Sequence, residues 1–480
     1  MVRLFGHYVP GSRLLLMSAE VSIAFAAVYA GLLLPYLGLP PVVPSWDVSP
    51  FPAAAALTLG LLTSMDLAGL SETRRQYRRA EMFVRLGFAF AVAYVLVAML
   101  GYLLPMFRLS RQAYLLSLTI AFPSILALRF VHSRVTASTR SRRKVLLIGA
   151  GRISEIITKL TTPETGYEIL GCIDGGSPQG RGRANGSNGA NGAYAHGNGS
   201  ATTLNVVGTV DDLAMTVKLM QPDVLVAAME DRRTGLPIDT ILACKLQGIE
   251  VEEWPTFHEK LTTKLPVSHL SPSWLAFSDG FRRSRIDDVA KRMLDVVVSA
   301  IGCLLSAPLV AILAALIRLD SPGPVFFRQE RVGKNGRVFA LVKLRTMRVD
   351  AEATTGPVWA RLADPRATRV GRILRRTRLD ELPQFFNVLL GDMSLVGPRP
   401  ERPAFVVQLQ EQIPFYMYRQ VLKPGITGWA QVCFPYGASI EDAREKLEYD
   451  LYYIKNRSFF LDLLILVQTV QVVLFGRGSR

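Results

Sequence analysis

The stretch at 372–403, RILRRTRLDELPQFFNVLLGDMSLVGPRPERP, places an adjacent acid pair between an arginine-dense segment and a Pro-Arg-Pro turn. The pair is Asp380 and Glu381, and six arginines with no acid among them lie at 366–378. Opposite charge favours the ionised form of a carboxyl group. The pattern therefore predicts carboxylates that stay ionised near neutral pH and can act as a nucleophile or a metal ligand.

The same charges have a simpler interpretation. On a helix, Arg366, Arg369, Arg372 and Arg376 would form a solvated or lipid-facing stripe, and LDELPQ (379–384) would only cap that helix. Basic amphipathic helices commonly lie on membrane surfaces, and charge alone favours this alternative.

Four consecutive motifs surround the acid pair: SPGPVFFRQERVG (321–333), KLRTM (343–347), LDELPQFFNVLLGDMSLVGPRP (379–400) and PGITGWAQV (424–432). In order and spacing they resemble the bacterial sugar transferase family, the monotopic phosphoglycosyl transferases that start exopolysaccharide and O-antigen assembly. The resemblance runs from about 291 to 480. It favours phosphate chemistry over a surface stripe.

The resemblance implies a reaction. Asp380 attacks the β-phosphorus of a UDP-sugar, releases UMP and carries the sugar phosphate as an acyl phosphate, which polyprenyl (undecaprenyl) phosphate then takes over. Glu381 acts with Asp380 in holding Mg²⁺, which binds through few carboxylates plus phosphate oxygens. Arg399, between Pro398 and Pro400, holds a phosphate through two guanidinium nitrogens.

Four more residues match the family's motifs as phosphate-binding or substrate-binding candidates: Arg378, Lys343, Arg345 and Asp392. For Lys343, Arg345 and Asp392 a structural ion pair is an equally good interpretation.

Composition indicates a membrane protein. The chain has 480 residues, room for two or three domains, and it is 50% hydrophobic with a net charge of +16. Its mean hydropathy of +0.25 is too apolar for an ordinary soluble enzyme. The charge would suit nucleic acid or an anionic membrane, but the basic clusters flank apolar segments, so we expect a lipid bilayer and no nucleic acid. Four cysteines without a CxxC pair suggest neither zinc nor disulfides.

Apolar stretches at 14–34, 51–70, 82–104 and 113–130 each approach the length of about 20 residues that a bilayer crossing needs. They predict a four-helix transmembrane bundle over 1–135, whose first span is retained because no convincing A-x-A cleavage pattern follows it. Arginines at 74–79 and basic residues at 134–144 place both ends of the bundle in the cytoplasm. The expected location is the bacterial inner membrane, multi-pass, with the catalytic domain on the cytoplasmic face.

The segment 140–265 predicts a Rossmann-like cytoplasmic domain. KVLLIGAGRISEIITKL (144–160) carries half of a dinucleotide-binding fingerprint, in which Ser154 replaces the third glycine and Asp174 stands where a ribose contact would lie. A nucleotide ligand is left open, because the family resemblance favours a structural, regulatory or homo-oligomerising role. The Gly/Asn/Ser-rich insert 175–200 has almost no apolar residue to offset the entropy of ordering, so we expect a disordered loop.

The catalytic domain, 286–480, begins with another apolar stretch at 295–318 that is interrupted by Pro308. A complete crossing would carry every motif outside the cell, away from cytoplasmic nucleotide sugars. We therefore predict a re-entrant helix-break-helix, in which Ser306 bonds a backbone group freed by the proline, with a kinked transmembrane helix as the alternative. Lys291 and Arg292 would anchor its entry to anionic headgroups.

The rest of this domain is predicted as an α/β fold. It has a hairpin from SPGPVFFRQERVG and VFALVKLRTM, and a basic helix at 363–378. PGITGWAQV fits either close backbone approach to a ligand, loosely the nucleotide, or simple turn geometry. At 446–475, Tyr449, Tyr452 and Tyr453 beside basic residues predict an interfacial segment, in which Asp462 makes a full crossing less favourable.

Two other functions remain open. The middle domain could make the chain an NAD-dependent nucleotide-sugar dehydratase or epimerase, although Ser154 and the lack of a Tyr-x-x-x-Lys pair within 144–264 disfavour it. The chain could also be an inactive scaffold of a glycan assembly complex, which the intact acid pair disfavours. The resemblance favours a UDP-hexose, but no residue separates hexoses from N-acetylated sugars or identifies the polysaccharide.

Overall fold

The structure is a computed structural model of the 480-residue chain. It describes residues 2–4, 7–9, 11–33, 51–67, 70, 79–104, 107, 111–138, 142–162, 165–174, 205–229, 236–281, 285–349, 351, 364–434, 437 and 439–475. Two compact units are present: Met1–His132 with Ser278–Arg480, and Ser133–Phe277. The predicted disordered insert 175–200 and the arginines at 74–78 lie outside the described residues.

The N-terminal part is a short hairpin followed by four helices. These elements are β1 (Val2–Leu4), β2 (His7–Val9), α1 (Gly11–Leu33), α2 (Phe51–Leu67), α3 (Arg79–Leu103) and α4 (Arg111–Ser138). Each helix contributes to one apolar core, through Ala24, Leu57, Phe90 and Ile125, all at most 2% exposed. The four helices thus form at the predicted positions. Among the described residues, α3 contains an apolar window long enough to cross a membrane, whereas those of α1, α2 and α4 are shorter.

The middle unit is a five-stranded parallel sheet with helices. Its elements are β3 (Arg143–Ile148), α5 (Arg152–Leu160), β4 (Tyr167–Asp174), β5 (Val206–Thr209), α6 (Leu213–Met220), β6 (Val224–Ala227), α7 (Ile238–Leu246), β7 (Glu250–Glu253), α8 (Trp254–Thr262) and α9 (Pro272–Phe277). The strand order is β5-β4-β3-β6-β7. This is the order of the first five strands of a Rossmann fold.

The glycine-rich loop after β3 packs against other residues of the same unit. Gly149 has φ +119°, and a Cβ there would lie 2.9 Å from the carbonyl oxygen of Ala228. Ser154, the residue in place of the third glycine, is fully buried and its hydroxyl donates to the carbonyl of Gly149. The loop geometry therefore follows from internal contacts and does not by itself require a nucleotide.

A buried histidine makes this unit sensitive to acid. His258 on α8 is 5% exposed, and its ring lies edge-on to Trp254 with the centroids 4.8 Å apart. Its Nδ1 lies 3.1 Å from the carbonyl oxygen of Lys264. Burial lowers the pKa of His258 to about 4.

We expect acid to weaken this unit through His258. The folded pKa of His258 lies below the unfolded value of about 6.5, so the unfolded state binds more protons between these two values. The contribution of His258 to the free energy of unfolding is therefore fully present above pH 6.5. It is lost as the pH falls towards 4, by up to about 3 kcal/mol. Hydrogen exchange of α8 in the full chain between pH 7 and pH 4 measures this loss. His258→Gln should flatten the pH dependence, whereas His269→Gln should keep it. An unchanged slope in His258→Gln would contradict the assignment.

The C-terminal part is a long helix with a small α/β layer against it. Its elements are α10 (Arg285–Asp320), β8 (Phe326–Val332), β9 (Val338–Leu344), α11 (Arg369–Thr377), α12 (Gln384–Leu390), β10 (Ser394–Val396), α13 (Pro403–Gln412), β11 (Gly425–Thr427), α14 (Trp429–Cys433), α15 (Ile440–Asn456) and α16 (Phe459–Phe475). The predicted hairpin is confirmed as β8 and β9, which pair in antiparallel register. Strands β10 and β11 form a second, parallel pair.

Helix α10 is continuous over 36 residues and takes Pro308 into its interior. Ser306 bonds within the same turn, since its hydroxyl lies 3.4 Å from the carbonyl oxygen of Cys303. An apolar window of mean hydropathy 2.5 makes this helix long and apolar enough to cross a membrane, and only 11% of that window is buried. The re-entrant path of this segment stays a prediction.

Both ends of α10 are held by the same α/β layer. Near its start, Asp295 accepts hydrogen bonds from the Leu395 amide at 2.9 Å and the Ser394 hydroxyl at 3.1 Å. At its end, Asp320 Oδ2 accepts from the Val370 amide at 3.0 Å and so caps α11. Between these points Leu313 and its apolar neighbours pack against β9 and α11.

Two basic residues predicted to anchor headgroups are structural instead. Lys291 turns inward, 2.9 Å from both Asp462 Oδ2 and the carbonyl oxygen of Val396. Arg292 donates to the carbonyls of Val388 and Leu389 at 2.8 and 3.0 Å, where a cation also suits the negative end of α12. The prediction was wrong because a local charge pattern does not show which side of a helix another element covers.

The tyrosines near the C-terminus are likewise part of the core. Tyr452 and Tyr453 are at most 1% exposed, and the Tyr453 hydroxyl donates to Asp462 Oδ1 at 2.6 Å. Asp462 is itself 1% exposed. The predicted interfacial role is therefore wrong for Tyr452 and Tyr453, whereas Tyr449 is half-buried. The charge of Asp462 faces Lys291 and the Tyr453 hydroxyl.

Candidate active site

The acid pair lies in a tight turn between two helices. Asp380 and Glu381 belong to a 3-10 turn at 379–381 that links α11 to α12. Arg378, just before it, adopts the left-handed conformation with φ 57° and ends α11. Leu379 packs into the cluster that joins α11 to α10. The acids are thus placed by a helix end and fixed by an apolar neighbour.

The basic helix is shorter than predicted. It begins at Arg369, because Thr368 caps it: its side-chain oxygen accepts from the Gly371 amide at 3.0 Å. Arg366 precedes the helix and pairs with Asp364 at 2.6 Å. The predicted start at 363 is therefore wrong by six residues, and Arg366 is not part of the helical stripe.

The remaining arginines divide into two groups. Arg369, Arg372 and Arg376 are exposed, as the surface-stripe interpretation requires. Arg375 and Arg378 are partly buried and act electrostatically on Asp380 and Glu381, respectively. Arg369, Arg372 and Arg376 therefore fit the solvated stripe, whereas Arg375 and Arg378 interact with the acid pair. A phosphate-binding role for Arg378 stays a prediction.

Glu381 is held between two cations. Arg399 Nη2 donates to its Oε1 at 2.7 Å, and Lys343 Nζ lies 3.6 Å from the same oxygen. The Glu381 side chain is 13% exposed. Burial would raise the pKa of Glu381, but the attraction of Arg399 and Lys343 outweighs it, so the pKa falls well below the usual range. Glu381 is therefore ionised throughout the physiological range.

Asp380 has the opposite electrostatic environment. It is 8% exposed, and burial raises its pKa to about 6, despite the opposing influence of Lys343 and Arg399. The cations thus act unequally on the two carboxylates, because burial dominates at Asp380 whereas Glu381 engages the nearest cations. Near pH 7 most Asp380 side chains still carry a charge, and that charge lacks most of its hydration, as suits a nucleophile.

Lys343 reaches the site from the hairpin. It lies on β9, and burial lowers the pKa of its ammonium. Asn387 fixes this strand against α12, because its side-chain amide donates to the Ala340 carbonyl at 2.8 Å and accepts from the Val342 amide at 3.0 Å. Sequence reasoning missed Asn387. Its signal was a lone amide within the apolar run QFFNVLL, where a buried polar group needs partners.

The turn that carries Arg399 is packed directly on the backbone of β11. Gly425 donates its amide to the Pro398 carbonyl at 3.0 Å, and Gly397 donates to the Thr427 carbonyl at 2.9 Å. A Cβ on Gly397, Gly425 or Gly428 would overlap the facing main chain. The close approach predicted for PGITGWAQV is thus made to the Pro398–Pro400 turn of the chain itself.

Two candidate residues lie in other surroundings. Arg345 is 5% exposed, and its guanidinium donates to the carbonyls of Ser321 and Pro322, each at 2.7 Å. Asp392 follows the left-handed Gly391 after α12 and attracts the ammonium group of Lys423 electrostatically. The contacts seen among the described residues connect neither side chain to the acid pair.

The donor set fits Mg²⁺ in part. Across the described ranges no group of three or more His, Cys, Asp or Glu side chains could hold a metal ion. Asp380 and Glu381 offer two carboxylates, of which Glu381 Oε1 is engaged by Arg399. Mg²⁺ commonly takes one or two carboxylates and completes its shell with substrate phosphates and water. The residues therefore fit an ion that arrives with a diphosphate.

Comparison with known proteins agrees with this chemistry. The sequence profile described as Bacterial sugar transferase matches residues 286–476. A UDP-N-acetylgalactosamine-undecaprenyl-phosphate N-acetylgalactosaminephosphotransferase of Aeromonas hydrophila is 45% identical over 259 residues, 54% of this chain and 60% of that protein. A UDP-glucose:undecaprenyl-phosphate glucose-1-phosphate transferase of Escherichia coli is 43% identical over 189 residues, 39% of this chain and 40% of that protein.

A third relative is covered almost completely. The exopolysaccharide production protein PSS of Rhizobium leguminosarum is 43% identical over 190 residues, 38% of this chain and 95% of that protein. For the Aeromonas and Escherichia proteins, the matched region spans less than two thirds of their length. With the acid pair, the Pro-Arg-Pro turn and the hairpin all inside the matched residues 286–476, the chain belongs to the bacterial sugar transferase family.

Proposed function

We propose that this protein transfers a sugar 1-phosphate from a UDP-sugar to undecaprenyl phosphate and releases UMP, as the first membrane step of an exopolysaccharide or O-antigen. The observation that carries the proposal is the difference between the surroundings of the two acids: Asp380 is buried, and the adjacent Glu381 is held by Arg399 and Lys343. The names of the Aeromonas and Escherichia relatives support both substrates.

The reaction proceeds in two displacements on one phosphorus. A carboxylate oxygen of Asp380 attacks the β-phosphorus of the UDP-sugar, the bond from that phosphorus to the bridging oxygen breaks, and UMP leaves with the electron pair. A phosphate oxygen of undecaprenyl phosphate then attacks the same phosphorus, and the bond to Asp380 breaks to restore the carboxylate. Because phosphoryl transfer mainly needs positioning and charge neutralisation, the roles of Lys343, Arg399 and Arg378 are to hold phosphate oxygens.

Mg²⁺ would be held by Asp380 and Glu381 and would neutralise charge on the diphosphate. Glu381 keeps one carboxylate oxygen free of Arg399 for this purpose.

We further propose that α10 enters and leaves the membrane on one side. As a straight helix, the part of α10 from Asp295 to Asp320 would be about 38 Å long, more than the hydrocarbon core of about 30 Å. Yet Asp295 near one end and Asp320 at the other bond to the same α/β layer. Exposed apolar side chains such as Leu304 and Leu305, 75% and 71% exposed, lie between. One small layer that holds both ends supports a re-entrant path, with the four N-terminal helices crossing the cytoplasmic membrane.

The proposal also covers the identity of the sugar and the role of the middle unit. The family resemblance favours a UDP-hexose, and the name of the Aeromonas relative makes a UDP-N-acetylhexosamine the second candidate. For the middle unit we propose a structural, regulatory or homo-oligomerising role, supported by the closure of its fingerprint loop through Ser154.

Replacing the nucleophile should abolish the reaction. Asp380→Asn removes the attacking oxygen, so UMP release from UDP-glucose, UDP-galactose and their N-acetylated forms should fall by at least about 1,000-fold, with purified full-length protein, undecaprenyl phosphate and Mg²⁺. Asp288→Asn is the control, because Asp288 lies in the first turn of α10 and forms an ion pair with Arg457, in which the Asp288 side chain is 48% exposed. A wild-type rate in Asp380→Asn would refute the mechanism. If the wild-type protein released no UMP from any of these donors, the proposed function would be refuted.

Removal of divalent metal should stop turnover reversibly. EDTA should eliminate UMP release and added Mg²⁺ should restore it, because without the metal the two carboxylates would repel the negatively charged diphosphate. Glu381→Gln should raise the Mg²⁺ concentration needed for half-maximal rate by about tenfold or more. Full activity in EDTA would exclude a metal role for the acid pair.

The path of α10 can be tested by labelling. Single cysteines at Ile286 and Leu319, 80% and 84% exposed, are introduced into a variant whose native cysteines are serine. With a membrane-impermeant maleimide, both should label in inverted vesicles and neither in spheroplasts. Labelling of the two positions from opposite sides would establish a crossing helix instead.

A further inference from the structure

A buried ion pair lies directly behind the turn that carries Arg399. Arg419 Nη2 is 2.8 Å from Asp450 Oδ2, and the two side chains are only 10% and 2% exposed. Arg419 follows α13, in a 3-10 segment, whereas Asp450 lies on α15. Neither residue belongs to the motifs that the sequence singled out.

The guanidinium of Arg419 has three defined acceptors. One nitrogen, Nη1, donates to the Tyr416 hydroxyl at 2.7 Å, and the guanidinium lies over the Tyr416 ring at 5.2 Å. The other, Nη2, donates to Asp450 and also to the main-chain carbonyl of Arg399 at 3.0 Å. Asp450 and Tyr416 therefore fix the plane of the guanidinium, and the guanidinium fixes the peptide of Arg399.

A second arginine holds the next carbonyl of the turn. Arg331 Nη1 donates to the carbonyl of Pro400 at 2.9 Å. Glu401 lies between the two arginines, 3.7 Å from Arg331 and 4.0 Å from Arg419. Arg331 and Arg419 thus bind the backbone carbonyls of the turn, whereas the Arg399 side chain, 36% exposed, binds Glu381.

Stability alone is a weak explanation for this arrangement. Taking an arginine and an aspartate out of water costs several kcal/mol for each ion, and well-packed apolar residues often replace such a pair without loss. What an apolar pair cannot supply is a donor for the Arg399 carbonyl. The pair therefore makes sense as a device that sets the position of one peptide group.

We propose that Arg419, oriented by Asp450 and Tyr416, is a positioning residue that holds Arg399 at the distance from Glu381 at which its guanidinium meets a substrate phosphate. The inference rests on the proposed function for its catalytic consequence and on the geometry alone for its mechanical part. Arg419 acts through Arg399 and touches no reacting atom.

The mechanical part is tested without activity. In hydrogen exchange of the full-length protein, Asp450→Asn and Tyr416→Phe should raise exchange of the peptide covering 397–402 by at least about tenfold, because both variants loosen the guanidinium that holds it. The matched control is Asp364→Asn, which breaks a pair with Arg366 in the same unit, in which the Asp364 side chain is also only 2% exposed. Unchanged exchange at 397–402 in both variants, or equal exchange in the control, would overturn the proposal.

The catalytic part is tested by a double-mutant cycle. Asp450→Asn and Tyr416→Phe should each lower kcat/KM for UMP release by about 10-fold to 100-fold, and either change should have little further effect in an Arg399→Ala background. Arg419→Lys, which keeps one donor for the carbonyl, should restore part of the rate lost in Arg419→Ala. The Asp364→Asn control should combine additively with Arg399→Ala. Additive losses for Asp450→Asn and Arg399→Ala would show that Asp450 acts only on general stability.

The two proposals fail in different ways. A wild-type protein that releases no UMP refutes the proposed function while the exchange experiment still measures the link from Asp450 to the turn. An active wild type with additive losses refutes only the positioning role.

Discussion

The site depends on the Glu381 carboxylate, which engages the nearby cations and so leaves Asp380 without a direct ion pair among the contacts of the described residues. Glu381 takes the hydrogen bond of Arg399 at 2.7 Å and the charge of Lys343 at 3.6 Å. Two adjacent acids would otherwise repel each other, and burial would protonate both. Because Glu381 absorbs the nearby positive charge, Asp380 is buried with little direct pairing, and burial raises its pKa to about 6. Adjacent residues of similar chemistry thereby acquire different roles.

The partners of Glu381 come from elements far apart in the sequence. Lys343 is on the β8–β9 hairpin, which Asn387 fastens to α12, and Arg399 is on the turn after β10. Helix α10 supports them all, since its length contacts α11, α12, β9 and β10 through residues such as Asp295 and Leu313. A change in the path of this helix would therefore move the acids and their cations together.

Much of this arrangement could be predicted from the sequence. Apolar lengths located the four N-terminal helices, Pro/Gly punctuation located the hairpin, and the motif around Asp380 located the acid pair. What failed was the direction in which charged side chains point. Lys291 and Asp462 each suggested a surface in their own segment, yet they neutralise each other across 171 positions of sequence. Arg345 failed in the same way, because its carbonyl partners in the 321–322 turn carry no sequence signal.

The missed residues share a physical property: each acts on backbone. Asn387 bonds a strand and Arg419 bonds the peptide of Arg399. Every residue type has a backbone carbonyl and nearly every type an amide, so the order of side chains in the sequence does not indicate which backbone group Asn387 or Arg419 bonds. The three-dimensional fold is needed to find such residues, whereas Arg399 lies in a Pro-Arg-Pro motif that is visible in the sequence.

The contact of Gly397 with Gly425 and Gly428 has a consequence for how the site adapts to its substrates. Side chains that line a binding site can change rotamer when a different molecule enters, and their neighbours then shift with them. Two main chains that meet without intervening side chains have no rotamers to exchange. The separation of the Pro398–Pro400 turn from β11 is therefore the same whichever molecule enters the site, and differences in size among bound molecules must be accommodated by other parts of the site.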